Sequence, residues 1–179
     1  LIINGEPFII DTGISTYEKN DRRQYERSTL AHNTVSIDSK NSSEVWSGFR
    51  VGRRAQVKIL IDTENHWKAS HNGFGKQCLH IREYIIDTDF HIHDKIPEGS
   101  KGISYIHFAA SVSNVKVQKN NIITNLAIIE VEGADKIELA DEMASVIYNV
   151  FQPIIVVKLY FTKELSYSIK AYNENSLSN

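Results

Sequence analysis

Short runs of β-branched and aromatic residues, each closed by turn formers, recur along this 179-residue chain and limit its fold more than any other feature. They fall at 1–3, 8–10, 34–37, 55–61, 80–86, 103–108, 115–117, 128–131, 154–161 and 167–171. Asn4-Gly5, Asn72-Gly73, Asn120-Asn121 and Glu132-Gly133 punctuate them, and such pairs tolerate the backbone angles that reverse a chain. Many short, closely spaced strands bury their apolar faces in a sandwich or a barrel. Val115-Lys116-Val117-Gln118 and Ser166-Tyr167-Ser168-Ile169-Lys170-Ala171 alternate, so one sheet face is wet and antiparallel pairing follows. The expectation is an all-β fold, a large antiparallel β-sandwich of two or more packed sheets with few or no helices. The best helical candidate, 135–144, is short and poorly periodic, and it is not adopted. Stretch 12–31 is charged and has neither period, so it reads as a long ordered loop; loops of that length are usually functional or disordered.

Composition adds exclusions. A net charge of -2 and a pI near 6.4 give no reason to expect nucleic acid or an anionic membrane as partner. No apolar run approaches the roughly 18 residues of a membrane span. Cys78 is the single cysteine, which rules out an intramolecular disulfide and a multi-cysteine zinc motif. Length and composition suit one domain, 1–179. The strand-like start at Leu1, without an initiator Met, leads us to expect material upstream, and the polar residues 173–179 are expected to fray.

Several motifs then fall in sequence: Asn4-Gly5-Glu6-Pro7, Asp11-Thr12-Gly13, Tyr17-Glu18, Arg27-Ser28-Thr29 and His32-Asn33-Thr34-Val35. In order and spacing they resemble the start of the C-terminal domain of heparinase II/III-like polysaccharide lyases. Gly48-Phe49, Ser70-His71-Asn72-Gly73-Phe74 and His80-Ile81-Arg82-Glu83 extend the resemblance, which is dense over the first half and weak afterwards. It implies a β-sandwich preceded by an (α/α) helical toroid, and cleavage of acidic, uronate-containing polysaccharide by β-elimination. That reaction must neutralise the uronate carboxylate, remove the C5 proton and protonate the departing oxygen. In such lyases the proton-transfer Tyr and His lie upstream of the part matched here, so the resemblance assigns no catalytic residue to this chain and leaves it inactive alone. Periplasm or cell surface is the implied compartment. The alternative is a non-catalytic domain that binds acidic glycans or supports a helical catalytic domain.

The resemblance also implies a structural zinc, with Asp11 and His32 as two of three ligands and the third, a His, upstream. Mixed imidazole and carboxylate ligation suits zinc. The plainer reading makes Asp11 a turn cap before Gly13 and His32 a hydrogen-bonded strand residue. Tyr17 and Arg27 are the candidate substrate-binding residues, because sugar rings lie on aromatic faces and a guanidinium fork suits a carboxylate or sulfate. Arg27 can equally anchor its own loop. Asn33, one residue beyond His32, is expected to point to the opposite face. His91 and His93 share a strand face and resemble a metal pair, but exposed strand histidines are the expected reading. His66, His80 and His107 have no partner that the sequence reveals.

Overall fold

The computed structural model describes residues 1–172, so the expected fraying at 173–179 lies outside the described residues. Fourteen strands carry the fold. They are β1 (Ile2–Ile3), β2 (Glu6–Pro7), β3 (Val35–Ile37), β4 (Val45–Trp46), β5 (Arg50–Val51), β6 (Val57–Asp62) and β7 (His66–His71). After them come β8 (His80–Ile86), β9 (Phe90–Lys95), β10 (Gly102–His107), β11 (Lys116–Gln118), β12 (Asn121–Ile123), β13 (Ala127–Ile147) and β14 (Val150–Ala171). All named pairings are antiparallel, as the alternation requires. The Asn4-Gly5 turn joins β1 to β2, with both residues at positive φ (50° and 79°), the conformation that a tight hairpin demands.

The long hairpin β13–β14 organises everything else. Residues 166–171 of β14 pair with 127–132 of β13 on one side, and residues 164–169 pair with β9 on the other. Residues 156–161 instead place β13 on one side and β10 on the other. The strand is thus shared between two layers. One layer runs β11-β12-β13-β14-β9-β8-β7-β6, and the other runs β13-β14-β10-β3. The register shifts between Glu132 and Lys136, where the chain turns the corner. Gly133 sits there at φ 82°, and a Cβ built on it would lie 2.6 Å from the Glu164 carbonyl oxygen. A bulge of this kind bends a strand without ending it. Glu132-Gly133, expected to bound a strand, therefore marks a bend inside one.

Inward side chains from both layers share one core. Ile92, Ile129, Leu165 and Ile169 come from the first layer, and Val35, Ile106, Leu159 and Phe161 from the second. Phe8 and Phe108 join them, ring centroids 5.1 Å apart. A smaller cluster of Tyr105, Ala144, Ile154 and Val156 lies on the other face of the second layer. Segment 12–31 reaches this side: Ser145 N–H donates to Thr12 O (2.6 Å) and the Arg22 guanidinium to Met143 O (2.6 Å).

The sequence reading needs two adjustments. Residues 135–144, the unadopted helical candidate, belong to β13 because both edges find backbone partners there. The expected loop 12–31 contains a short helix, α1 (Asp21–Glu26), and a 3₁₀ turn at Thr29–Ala31. The Asn20 side chain caps α1 by accepting from Arg23 N–H (2.9 Å), a local hydrogen bond that outweighs weak periodicity. Among the described residues no helix is long and apolar enough to cross a membrane.

Gly133→Ala combines left-handed strain with a backbone collision, so it should cost roughly 2–4 kcal/mol of unfolding free energy. Gly99 has a similar φ of 81° with nothing within 4 Å of its Cβ position, so Gly99→Ala should cost only about 1 kcal/mol. Urea denaturation of the two variants side by side checks this; equal losses would mean that the corner tolerates a side chain.

Candidate functional site

Asp11 and His32 come together. His32 Nδ1 lies 2.6 Å from Asp11 Oδ2, while Gly13 N–H donates to Asp11 Oδ1 (3.0 Å). The two side chains are about half exposed, at 42% for His32 and 57% for Asp11. Burial works to raise the Asp11 pKa, but the His32 and Gly13 hydrogen bonds outweigh it and hold the carboxyl below its ordinary range. The plainer reading is realised in this geometry: Asp11 caps the turn before Gly13, and its second oxygen is hydrogen-bonded to His32.

Asn33 bonds elsewhere, although residues 32–34 form bends ahead of β3 and are not strand. Its amide nitrogen donates to Ile10 O (2.7 Å) and its amide oxygen accepts from His107 N–H (2.7 Å). It clips together the segment carrying Asp11, the segment carrying His32, and β10. His107 is fully buried beneath them, with its Nδ1 3.3 Å from Asn33 Oδ1. Its Nε2 has no hydrogen-bond partner among the described residues. Burial pushes its pKa down to about 4, so the ring is neutral near pH 7.

Behind Asn33 lies a buried ionic network that joins residues of two family-like motifs, 70–74 and 80–83, to Asp94. Arg82 grips Asp94 with two parallel bonds, Nε to Oδ1 and Nη2 to Oδ2, both 2.7 Å. Its Nη1 donates to Asn33 O. Ser104 Oγ donates to Asp94 Oδ2 (3.2 Å), and His80 Nε2–H donates to Asp94 Oδ1 (2.7 Å). Gly73 N–H donates to His71 Nδ1 (3.1 Å), which leaves His71 Nε2–H to donate to His80 Nδ1 (3.0 Å). One chain of bonds thus runs from His71 through His80 to Asp94 with each imidazole tautomer fixed. Burial above all, with the Arg82 charge nearby, lowers the His71 pKa to about 4. Asp94 is held far below the ordinary carboxylate range because Arg82 outweighs the penalty of its complete burial. The signal was present in the sequence: Phe90, Ile92, Asp94 and Ile96 occupy alternate positions of one strand, which places a carboxylate on an apolar face.

Tyr17 and Arg27 share their loop but differ in availability. Arg27 donates to the carbonyls of Trp46 (3.2 Å), Ser47 (2.8 Å) and Arg50 (2.9 Å), so its fork is committed to the β4–β5 turn, the anchoring alternative. Tyr17 is 50% exposed and stacks between Phe49 (5.7 Å) and Tyr148 (5.5 Å), with the Arg23 guanidinium 5.3 Å from its centroid. Both faces of the Tyr17 ring are therefore covered, and the exposed aromatic surface of this cluster belongs to Phe49 and Tyr148, which suit contact with a sugar ring.

His91 and His93 do share a face, and each has its own partner: Asp87 for His91 (3.0 Å) and Ser166 for His93 (2.8 Å). His66 meets Glu83 at 2.6 Å. Among the described residues no group of three or more His, Cys, Asp or Glu is placed to hold a metal ion.

Fold and site define a class: an antiparallel β-sandwich domain with a carboxylate–imidazole pair where its N-terminal segments meet. A family model described as heparinase II/III-like, C-terminal, matches residues 1–155. The chain belongs to that family. Among solved structures it is similar to a heparinase III with methylated lysines, at 17% identity and a TM-score of 0.66. That match covers 97% of this chain and 29% of the other. A mutant of the heparan sulfate lyase HepC from Pedobacter heparinus is similar at 19% identity and a TM-score of 0.65, over 96% of this chain and 29% of that one. The chain therefore spans less than a third of the length of these structures. No curated protein matches it.

Asp94→Asn leaves the buried Arg82 with an uncompensated charge and should cost roughly 3–5 kcal/mol. Denaturant unfolding measures it, and a loss below 1 kcal/mol would show the network to be dispensable.

Proposed function

We propose that this chain is the β-sandwich portion of a polysaccharide lyase that cleaves uronate-containing polysaccharide by β-elimination. The contact of Asp11 with His32 at 2.6 Å carries the reading, because it joins the two residues that the family resemblance assigns to one metal. Family membership supports it further. In this reading the proton-transfer groups belong to a helical toroid domain elsewhere in the complete protein, and the present chain alone is inactive. The compartment is the periplasm or the cell surface, where such a polymer is met.

The residues fit zinc. An imidazole nitrogen and a carboxylate oxygen face one another, both are reachable from solvent, and the donor types match the preference of the ion. Asp11 and His32 would hold it, and its contribution would be to tie the two ends of segment 12–31 together. The work of this chain is otherwise positional. Asn33 fixes the backbone on both sides of the pair, Arg27 fixes the β4–β5 turn, and Tyr17 holds the exposed rings of Phe49 and Tyr148 in one aromatic cluster against which a pyranose can lie. Arg23 packs against that cluster from the buried side, while Arg22 is paired with Glu26 at 2.8 Å.

One observation favours a supporting role alongside. The face of the first layer bearing Val57 (67% exposed), Ile59 (66%) and Trp67 extends past the second layer and lines an apolar groove of about 410 Å³. A helical domain seated there would be held by this sandwich.

The complete protein, incubated with heparan sulfate, alginate and other uronate polymers, should generate the ultraviolet absorbance of an unsaturated uronate from at least one. Absence of product from all of them overturns the lyase assignment. Zinc at tenfold its Kd should add about 1.4 kcal/mol of stability to the complete protein, seen as a rise in Tm. That rise should vanish in Asp11→Asn and in His32→Ala; a zinc effect that survives both places the ion elsewhere.

A further inference from the structure

A second concavity lies on the opposite side of the first layer, and nothing in the lyase reading uses it. Two cross-strand rows build it. In one, Glu83, His93, Ser166 and Glu132 are successive partners across β8, β9, β14 and β13. In the other, Ile85, His91, Ser168 and Glu130 occupy the same four strands, with Asn121 of β12 beyond. These positions alternate with the core residues Ile92, Leu165, Tyr167 and Val131, so they point away from the core. Two short serines on β14 lie between longer side chains on both flanks. The outcome is an open trough of about 640 Å³, with Ser166 and Ser168 as its floor.

The polar groups of the trough are unevenly satisfied. Lys68 binds Glu83 (2.8 Å) and Lys170 binds Glu130 (2.7 Å), so both nearby cations are committed. Glu132 forms no ion pair among the described residues. His93 meets Ser166 Oγ through Nδ1, which leaves Nε2 facing outward. The trough therefore presents hydroxyls, an amide, an imidazole nitrogen and an uncompensated carboxylate, with no free cation. Hydroxyl-rich rings are the natural occupants, because a carboxylate and an imidazole accept from hydroxyls while a serine both donates and accepts. An acidic ring would meet the unpaired Glu132 carboxylate, with both nearby cations already committed, and would be repelled.

We propose that this trough binds a saccharide chain bearing no acidic group, with hexosamines that carry a free ammonium preferred through Glu132. The substrate of the lyase reading carries opposite charge, so the two surfaces would hold different glycans, or different stretches of one mixed glycan.

Calorimetric titration of the complete protein tests this with three probes: a glucosamine hexamer at a pH where its amines are protonated, its N-acetylated counterpart, and an acidic heparan sulfate hexasaccharide. The glucosamine hexamer should bind at least fivefold more tightly than the N-acetylated one. Ser168→Phe, which fills the floor with a strand-compatible ring, should weaken both at least tenfold and leave binding of the acidic probe unchanged. Glu132→Gln, at an exposed position that folding tolerates, should bring the two hexosamine probes to equal affinity. No binding of either hexosamine probe, or a preference that survives Glu132→Gln, overturns the proposal. Neither variant should alter release of unsaturated product from uronate polymers, so the lyase assignment stands or falls separately.

Discussion

A single strand serving two sheets is the constraint on which the rest of this structure depends. Along β14 the partner changes from β10 to β9, while β13 follows it on the other side throughout. Both layers inherit their register from that strand, and a one-residue slip would turn every inward side chain outward. Leu159 and Phe161 before the corner, and Leu165, Tyr167 and Ile169 after it, all face the core. All five occupy odd positions, so the alternation runs through the bend, where Lys163 takes a φ of 74° and Gly133 packs against the Glu164 carbonyl.

The electrostatics of the interior follow from that frame. Asp94 and Arg82 are cross-strand partners on neighbouring strands, so their side chains meet without backbone adjustment. Burying such a pair gains little over an apolar substitute, yet it specifies geometry. Arg82 holds Asn33 O, and Asn33 holds both Ile10 and His107. The charge buried in the first layer is thus linked by hydrogen bonds to the segments that present Asp11 and His32 at the surface.

Much of the fold was legible because its signals are local. Alternation and turn pairs marked the strands, the Asn4-Gly5 hairpin formed as written, and β8 occupies the stretch expected for it, His80–Ile86. What escaped was non-local. The segments at 128–131, 154–161 and 167–171 belong to two very long strands, because a bulged strand continues wherever partners line its edges. At the site, the family resemblance brought Asp11 and His32 together, which spacing alone does not. The commitment of Arg27 to three carbonyls depends on where the β4–β5 turn lands, and nothing around residue 27 reports that. His80 and His107 lacked visible partners because Asp94 and Asn33 reach them only through sheet pairing.

The hairpin also bears on the order in which the chain assembles. Its strands close through Tyr148 and Asn149, the shortest loop between any two long strands here, with Asn149 at a φ of 60°. Closing a short loop sacrifices little chain entropy, so this pairing can form before distant segments find one another. Strands β12, β9 and β10 then meet a ready template. Strand β3 docks on β10 across the whole β4–β9 region, so its pairing also needs a long-range closure. The surface that unites Asp11 with His32 would accordingly be a late product of folding, completed only once the scaffold beneath it has set.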